Sequence, residues 1–255
     1  MVELDTDSLR LVESFAQQYK EFKNSQDIFL LIPAYEEADN LIDFLPQKPA
    51  NVLNKGVRVI IVDDGSKDAT STKAKELGAI TLTLPQNRGG GYALKIGYAF
   101  VLALNLHFIV TLDADGQHQF VDLETLLGPL LQDEADLVLG SRRLGTTESK
   151  GLTRNLGIGV FNRLISFLVG HEVTDCSNSY RAFSGQALHK LTLVEERHHT
   201  AEFIIQAFAH RLRIVERPVH ILERKHGESK KGPNLIYGWR FFRTILRAWR
   251  RARRV

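Results

Sequence analysis

Residues 107–118 read His-Phe-Ile-Val-Thr-Leu-Asp-Ala-Asp-Gly-Gln-His, and this stretch decides the fold. An apolar run rich in β-branched residues leads directly into Asp113 and Asp115, two carboxylates one residue apart. Side chains two positions apart in an extended segment point the same way, so both carboxylates are expected to face one target. Like charges this close repel unless a cation lies between them, and a hard divalent cation such as Mg²⁺ suits them. For this stretch alone, an Asp-Gly turn without a chemical role is the alternative.

Strand-like and helix-like segments alternate around this stretch. We predict strands at 28–32, 57–62, 79–84, 108–112 and 136–139, and helices at 38–45, 67–77, 92–104 and 123–132. Such alternation favours an α/β fold with a mostly parallel sheet flanked by helices, and ligand sites beyond the carboxyl ends of the strands. Polar, acidic segments follow three of the strands, at 33–37, 63–66 and 113–115. This coincidence predicts a nucleotide and metal site at one rim of the sheet.

The second half of the chain is less periodic. We predict helices at 153–169 and 201–210, a polar loop leading into a short strand at 175–183, a strand at 213–222 and a basic loop at 223–231. The three glycines at 89–91 have neither the P-loop spacing nor that of a dinucleotide-binding turn. They are expected to let the backbone approach a ligand closely.

Length and composition limit the class of protein. The 255 residues suffice for one large domain or two small ones. A single cysteine, Cys176, excludes an internal disulfide framework and is expected to be a small buried residue. The acidic residues Glu3, Asp5 and Asp7 argue against a signal peptide. No apolar run reaches the ~20 residues of a membrane span, so no transmembrane helix is expected.

Both ends of the chain are predicted to be amphipathic helices outside the main domain. We divide the chain into an N-terminal helical extension at 1–26, a main domain at 27–233 and a C-terminal helix at 234–255. Seven arginines lie in 234–255, and without them the net charge of +3 becomes −4. The basic charge is confined to this tail, and the rest of the chain is net acidic, so a nucleic-acid partner is not expected.

The C-terminal helix has two predicted stripes. The apolar stripe consists of Leu235, Trp239, Phe242, Leu246 and Trp249, and the basic stripe of Arg240, Arg243, Arg247, Arg250 and Arg254. Aromatic residues beside arginines are typical of helices that lie on an anionic membrane surface. The tail therefore predicts a peripheral protein on the cytoplasmic face of a membrane. A terminal helix packed on the domain, with its arginines merely solvated, is the alternative.

These motifs together resemble glycosyltransferase family 2, the inverting nucleotide-sugar enzymes with the GT-A fold. The synthases that make dolichyl- or polyprenyl-phosphate mannose or glucose are the most similar group. The resemblance extends from about Ile28 to Lys230 and is carried by Pro33-Ala-Tyr-Glu-Glu37, Val62-Asp-Asp-Gly-Ser-Lys-Asp-Ala-Thr70, Asn87-Arg-Gly-Gly-Gly-Tyr-Ala93, Asp113-Ala-Asp-Gly-Gln-His118, Gly140-Ser-Arg142, Asp175 with Ser177 and Arg181, and Arg224 with Gly227-Glu-Ser-Lys230. Two positions depart from the family pattern: Glu36 stands where asparagine is usual, and Ser179 where glycine is usual.

The resemblance implies a role for each matching residue. Mg²⁺ or Mn²⁺ is expected at Asp113, Asp115 and Gln117. The nucleotide sugar is expected at Pro33, Tyr35, Glu37, Val62, Asp63, Asp64, Asp113, Ala114, Arg142, Arg224 and Lys230. The acceptor phosphate is expected at Arg142, Arg154 and Lys230, and the catalytic set is Asp115, Arg142 and Glu202.

The implied activity is transfer of a hexose, of the mannose or glucose class, from a nucleoside diphosphate sugar to a polyprenyl or dolichyl phosphate. A phosphate acceptor is already ionised at neutral pH and needs no general base. Transfer to a sugar or lipid hydroxyl, as in cell-envelope glycan synthesis, is the alternative and would need a base such as Glu202. A nucleotide-sugar-binding protein without turnover is the non-enzymatic alternative, which the intact pair of aspartates disfavours.

Overall fold

The structure is a computed structural model that describes residues 2–148, 152–196, 199–224, 226 and 234–253, the side chains of 152–156 and 234–237 excepted. Within these ranges, one sheet of eight strands forms the centre of the protein. The strands are β1 (Ile28–Ala34), β2 (Asn51–Val52), β3 (Lys55–Asp63), β4 (Ile80–Thr83), β5 (Phe108–Thr111), β6 (Leu137–Thr147), β7 (Arg181–Ser184) and β8 (Ile214–Ile221).

The strand order places the first-half strands beside one another. The path across the sheet is β2-β3-β1-β5-β7-β6-β8, and β4 pairs with β3. The pairs β3–β1, β1–β5, β3–β4 and β6–β8 are parallel, whereas β7 is antiparallel to both of its neighbours and β2 is antiparallel to β3. The carboxyl ends of β3, β1 and β5 therefore meet at one rim, as the acidic segments predicted.

Helices cover both faces of the sheet. They are α1 (Thr6–Gln18), α2 (Ala38–Phe44), α3 (Thr70–Glu76), α4 (Gly90–Ala103), α5 (Leu123–Leu131), α6 (Leu152–Val169), α7 (Gly185–Lys190), α8 (His199–Ala209) and α9 (Asn234–Ala252). Alternate residues of β1 are buried on opposite faces of the sheet: Phe29 and Leu31 belong to one apolar cluster, and Leu30 and Ile32 to the other. Burying a side chain of this kind stabilises the fold by about 1.5–3 kcal/mol.

The predicted alternation of elements is confirmed, with three corrections. The strand predicted at 136–139 is too short, because β6 continues to Thr147 alongside β8. The short helix α7 was not predicted, and Ser184 begins it by accepting a hydrogen bond from the Ala187 N–H. The extended geometry expected at Asp113 and Asp115 is also wrong, because β5 ends at Thr111 and a turn follows in which Gly116 has a φ of 72°.

The N-terminal helix packs on the main body of the protein. Asp5 caps α1 by accepting a hydrogen bond from the Ser8 N–H at 2.8 Å. The Ser8 hydroxyl lies 2.7 Å from the Tyr92 hydroxyl of α4, and Val12 and Phe15 join the apolar core. The residues of α1 thus share the core of the segment predicted as the main domain, and the domain boundaries stay a prediction.

The C-terminal helix also packs on the body, through a face beside the predicted apolar stripe. Phe241, Ile245 and Ala248 are at most 3% exposed, and α9 contacts α8 and α6. Trp239, in the predicted stripe, is 61% exposed and stacks on Phe242 with ring centroids 5.7 Å apart. The side chain of Leu235 and residue Arg254, both part of the predicted stripes, lie outside the described residues.

Among the described residues, no helix combines the length and the apolar character needed to cross a bilayer. This finding agrees with the sequence expectation for these segments.

Candidate active site

The end of β3 carries two buried carboxylates. Asp63 and Asp64 are each 1% exposed. The Asp64 carboxylate accepts hydrogen bonds from the backbone N–H groups of Arg88, at 3.0 Å, and Gly89, at 2.6 Å, and so fixes the loop before α4. Burial raises the pKa of Asp64, although those two N–H groups oppose the shift. This pairing was not predicted from the sequence, in which only the acidic strand end and the glycine loop pointed to it.

Asp63 presents an acceptor that the described part of the chain leaves unused. Its Oδ1 accepts a hydrogen bond from the Ser66 N–H at 3.0 Å. Its Oδ2 is buried and has no hydrogen-bond partner among the described residues. An unpaired buried carboxylate oxygen costs free energy, about 1–3 kcal/mol or more, which a donor from a ligand would recover. The site therefore has a place for an N–H or O–H group of a bound molecule.

The loop after β1 closes against the loop after β3. The N–H of Glu36 donates to the Ser66 hydroxyl and that of Glu37 to the Thr70 hydroxyl, both at 2.9 Å. Glu36 has a φ of 53°, a left-handed conformation that asparagine adopts more easily than glutamate. Tyr35 is half-buried, and burial followed by the charge of Glu36 raises its pKa. Pro33 and Tyr35 thus lie at the same rim as the β3 carboxylates.

The turn after β5 holds the predicted metal-binding pair. Asp115 Oδ1 accepts a hydrogen bond from the Gln117 N–H at 3.2 Å. Burial, and then repulsion by Asp113, raises the pKa of Asp115. The Gln117 Nε2 donates to the Leu222 carbonyl at 2.7 Å, which leaves the side-chain oxygen of Gln117 as its acceptor. Ala114, between the two aspartates, is buried.

Arg224 joins the β1 and β5 loops. Its Nη2 donates to the Glu37 carboxylate, and its Nη1 lies 4.0 Å from Asp115 Oδ2. The two arginine contacts cross the rim from one acidic loop to the next. Arg224 therefore already lies among carboxylates, within reach of an anion placed between them.

Arg142 is held rigidly at the opposite side of the rim. The Asp175 carboxylate accepts from its Nε at 2.6 Å and from its Nη2 at 2.7 Å, and Nη2 also donates to the Ser177 hydroxyl at 2.6 Å. Although burial opposes it, the pKa of Arg142 is raised, because Asp175 and, less strongly, Asp113 stabilise the charged form. A two-point contact of this kind fixes the orientation of the guanidinium plane.

A second arginine lies below the site. Arg181 is 1% exposed, its Nη2 donates to the Asn178 carbonyl at 2.8 Å, and its guanidinium lies 5.0 Å from the centre of the Phe203 ring. Burial lowers the pKa of Arg181, whereas Asp113 and Asp175 act in the opposite direction. The sequence resemblance included Arg181 without a role; the structure places it as a buried positive charge near the aspartates.

Glu202 lies away from solvent and has three partners. Its carboxylate accepts from the Val194 N–H at 3.1 Å, from the Glu195 N–H at 2.8 Å and from the Arg251 Nη2 at 2.6 Å. The side chain is 0% exposed. Burial raises the pKa of Glu202, although these donors oppose the shift. The carboxylate predicted as a catalytic base is thus an anchor between α8, residues 194–195 and α9.

The remaining predicted site residues fall into two groups. The side chain of Val62 is fully buried inside the sheet, so only its backbone is available to a ligand. Lys230 and the side chain of Arg154 lie outside the described residues, and their phosphate-binding roles stay a prediction.

The residues at the rim fit a divalent metal ion shared with a phosphate ligand. No cluster of three or more His, Cys, Asp or Glu side chains with metal-binding geometry occurs in the described part of the chain. Mg²⁺ is commonly held by one or two carboxylates, with phosphate oxygens and water completing its shell. Asp113, Asp115 and the oxygen of Gln117 provide such a partial set, next to the arginines that an anion requires.

Comparison with known proteins places the chain among sugar transferases. The family model described as glycosyl transferase family 2 matches residues 29–192. The UDP-N-acetylglucosamine–dolichyl-phosphate N-acetylglucosaminyltransferase of Methanococcus voltae is 32% identical over 242 residues, covering 86% of this chain and 94% of that protein. The polyprenol monophosphomannose synthase of Mycolicibacterium smegmatis is 29% identical over 226 residues, covering 83% of each.

Solved structures show the same fold. Glucosyl-3-phosphoglycerate synthase from Mycobacterium tuberculosis, crystallised with Mn²⁺, UDP and glucosyl-3-phosphoglycerate, superposes with a TM-score of 0.65. The two chains are 19% identical, and the match covers 97% of this chain and 86% of the other. The likeness confirms the GT-A fold that the sequence predicted.

The pairing of Arg142 with Asp175 gives a first prediction. Replacing Asp175→Asn removes a charge from a side chain that is 1% exposed and leaves the guanidinium without its two-point partner. We expect the free energy of unfolding to fall by about 3 kcal/mol, since breaking a buried ion pair leaves one charge uncompensated. Urea denaturation measures this change.

The matched control is Asp27→Asn. Asp27 pairs with Arg58 at 3.0 Å, but the two side chains are 29% and 54% exposed. An exposed pair contributes about 1 kcal/mol or less. Equal losses of stability for the two variants would contradict the structural importance of the Arg142–Asp175 pair.

Proposed function

The chain belongs to glycosyltransferase family 2, and on that basis we propose that it transfers a sugar from a nucleoside diphosphate sugar to a polyprenyl phosphate, with inversion at the anomeric carbon. The main support for this proposal is that three acidic loops, after β1, β3 and β5, meet at one rim, where Arg224 contacts the β1 and β5 loops and Arg142 lies near Asp113. Carboxylates for a metal and fixed arginines for phosphates are the groups that a diphosphate leaving group needs.

The nucleoside would occupy the β1 and β3 ends of the rim. Asp63 Oδ2, which has no hydrogen-bond partner among the described residues, supports this placement, because it could accept from an imide or amide N–H of a base or from a ribose hydroxyl. Tyr35 and Pro33 would pack against the base, and Glu37 and Asp64 would line the ribose side. The two relatives differ in the sugar of their names, N-acetylglucosamine in one and mannose in the other, so the hexose assignment rests on the sequence resemblance.

The diphosphate would lie toward the turn after β5. Asp113, Asp115 and Gln117 would hold Mg²⁺ or Mn²⁺ against it, and a bound cation of this kind neutralises charge that develops on the leaving diphosphate. Arg142 would face the phosphates of donor or acceptor in an orientation that Asp175 has already fixed, which supports catalysis by preorganised charge. Arg224, Lys230 and Arg154 would complete the positive surroundings.

A phosphate acceptor fits the described groups better than a hydroxyl acceptor does. The acceptor oxygen would form a bond to the anomeric carbon while the bond from that carbon to the diphosphate breaks, with its electron pair leaving on the nucleoside diphosphate. No proton moves in this displacement, so no general base is required. Glu202, the residue predicted as a base for a hydroxyl, is instead bound by Val194, Glu195 and Arg251.

The outer surface of α9 and α6 supports a membrane location for the acceptor. Trp239 on α9 is 61% exposed, and on α6 Val160 is 61% and Phe167 84% exposed. The Phe161 and Phe241 rings, 4.8 Å apart, join the two helices. Arg240, Arg243 and Arg250 on α9 are exposed. Apolar side chains flanked by arginines suit peripheral binding to an anionic bilayer, where the lipid phosphate is found.

The metal-binding pair provides the second prediction. We expect Asp113→Asn and Asp115→Asn each to abolish sugar transfer and the Mn²⁺-dependent part of UDP or GDP binding, because each removes one anionic ligand. Binding is measured by calorimetry with and without Mn²⁺, and folding by thermal denaturation. The control is Asp122→Asn, an aspartate after the same strand whose partner is His220. Full activity of both aspartate variants in the presence of a chelator would contradict the proposal.

Glu202 provides the third prediction, which separates the two acceptor classes. With a phosphate acceptor, Glu202→Gln should lower stability, because Arg251 loses the buried one of its two anionic partners, Glu202 and Glu195, but retain most of the transfer rate per folded molecule. With a hydroxyl acceptor, loss of the base should reduce the rate by about 10²–10⁴-fold.

The double variant Glu202→Gln/Arg251→Gln is the control for stability. It removes both partners and should recover part of the stability that the single variant loses. A folded Glu202→Gln protein that binds donor and acceptor but does not react would favour the hydroxyl alternative.

The fourth prediction concerns the membrane. Changing Arg240, Arg243 and Arg250 together to Glu should weaken binding to vesicles that contain phosphatidylglycerol by at least about 100-fold, since each arginine contributes about 1 kcal/mol near an anionic surface and each glutamate adds repulsion. Vesicle flotation measures the binding. The same reversal at Arg10, Lys20 and Lys23, exposed residues at the other end of the chain, is the control. Equal recovery of both triple variants would contradict a membrane role for α9.

A further inference from the structure

A buried chain of hydrogen bonds connects the turn after β5 to the strand that carries Arg142. The backbone N–H of Asp113 donates to His118 Nδ1 at 3.1 Å. His118 Nε2 lies 3.1 Å from Asn178 Oδ1, and Asn178 Nδ2 donates to the Gly140 carbonyl at 2.8 Å. Gly140 is two residues before Arg142 in β6. We call these four groups the His118 relay.

The role of every atom in the relay follows from its neighbours. A backbone N–H can only donate, so His118 Nδ1 must be the unprotonated nitrogen. In the neutral ring Nε2 then carries the hydrogen and donates to Asn178 Oδ1. The same oxygen accepts from the Tyr180 N–H at 3.3 Å. The Asn178 amide nitrogen therefore faces the Gly140 carbonyl, to which it donates. The relay has one self-consistent arrangement of donors and acceptors.

Burial makes the relay costly to break. His118 is 3% and Asn178 7% exposed, and the Tyr180 ring packs 4.8 Å from the imidazole. Water has little access to replace a lost bond there, and an unpaired buried donor or acceptor costs about 1–3 kcal/mol. The turn containing Asp113 is therefore connected to β6 through buried hydrogen bonds.

We propose that His118 and Asn178 are positioning residues, which set the placement of Asp113 and Asp115 relative to Arg142 and so determine how well the site binds a metal with a diphosphate. The inference rests on the proposed function, because it takes these aspartates as metal ligands. Partners that orient metal ligands typically contribute a factor of about 10–100 in metal affinity.

Two variants of His118 separate the two halves of the relay. In His118→Asn the amide oxygen stands near the position of Nδ1 and can still accept from the Asp113 N–H, whereas the bond to Asn178 is lost. In His118→Gln the amide nitrogen reaches the position of Nε2 and keeps the bond to Asn178, whereas the Asp113 N–H loses its acceptor. The two substitutions remove the same ring and differ in which bond survives.

The experiment measures UDP and GDP binding by calorimetry, with Mn²⁺ and without it. We expect both variants to weaken Mn²⁺-dependent binding within the range of about 10–100-fold, His118→Gln toward its upper end and His118→Asn toward its lower end, with metal-free nucleotide binding unchanged in both. The control is His220→Gln, since His220 holds Asp122 at 2.7 Å and takes no part in the relay. Equal metal dependence in wild type and His118→Gln would overturn the proposal, as would parallel losses of metal-free and metal-dependent binding in both His118 variants.

A second measurement does not depend on the variants folding. Nitrogen NMR of the metal-free wild-type protein should show His118 as the neutral tautomer with the proton on Nε2. A proton on Nδ1 would overturn the relay directly. If the wild-type protein shows the expected tautomer but no Mn²⁺-dependent nucleotide binding, the proposed function fails while the geometry of the relay stands.

Discussion

Carboxylates crowded at the carboxyl ends of three parallel strands are the constraint on which the rest of this structure depends. Glu37, Asp64 and Asp115 lie in loops of β1, β3 and β5, and burial raises the pKa of Asp64 and of Asp115. Such a group of charges can stay ionised only if donors and cations surround it. Backbone N–H groups of the loop before α4 donate hydrogen bonds to Asp64, and Arg224 forms ion pairs with both Glu37 and Asp115. The fold thus concentrates negative charge at this rim. Its own N–H donors and arginines offset most of that charge, but not all of it.

The two arginines at the rim have different partners, and this difference has chemical consequences. Arg142 is fixed by Asp175, whereas Arg224 bridges two loops that a ligand would enter. A fixed guanidinium costs little reorganisation when charge develops on a phosphate, which is what preorganised electrostatic catalysis requires. The loop residues beyond Arg224 include Lys230, for which the sequence resemblance implies a further phosphate contact.

Sequence patterns predicted the rim well and the remainder less completely, for physical reasons. Strands β1, β3 and β5 are buried apolar runs that end in acidic segments, so both their position and their parallel arrangement could be inferred. The antiparallel insertion of β7 between β5 and β6 could not, because strand order depends on long-range pairing that local composition does not encode. The role of Glu202 as a base stays a prediction, but its contacts with Val194, Glu195 and Arg251 could not be inferred from the sequence, because these residues come together only in the folded protein. The buried face of α9 was also missed, since Ala248 and Ala252 carry a weak apolar signal beside Trp239 and Phe242.

The most direct test of the account is an assay of the purified protein with Mn²⁺, a panel of UDP and GDP sugars, and polyprenyl phosphate in anionic vesicles. Lipid-linked sugar is followed by mass spectrometry, and the configuration of its anomeric carbon by NMR. We expect a polyprenyl-phosphate sugar with the anomeric configuration opposite to that of the donor. A product with retained configuration, or transfer to hydroxyl acceptors with none to the lipid phosphate, would contradict it.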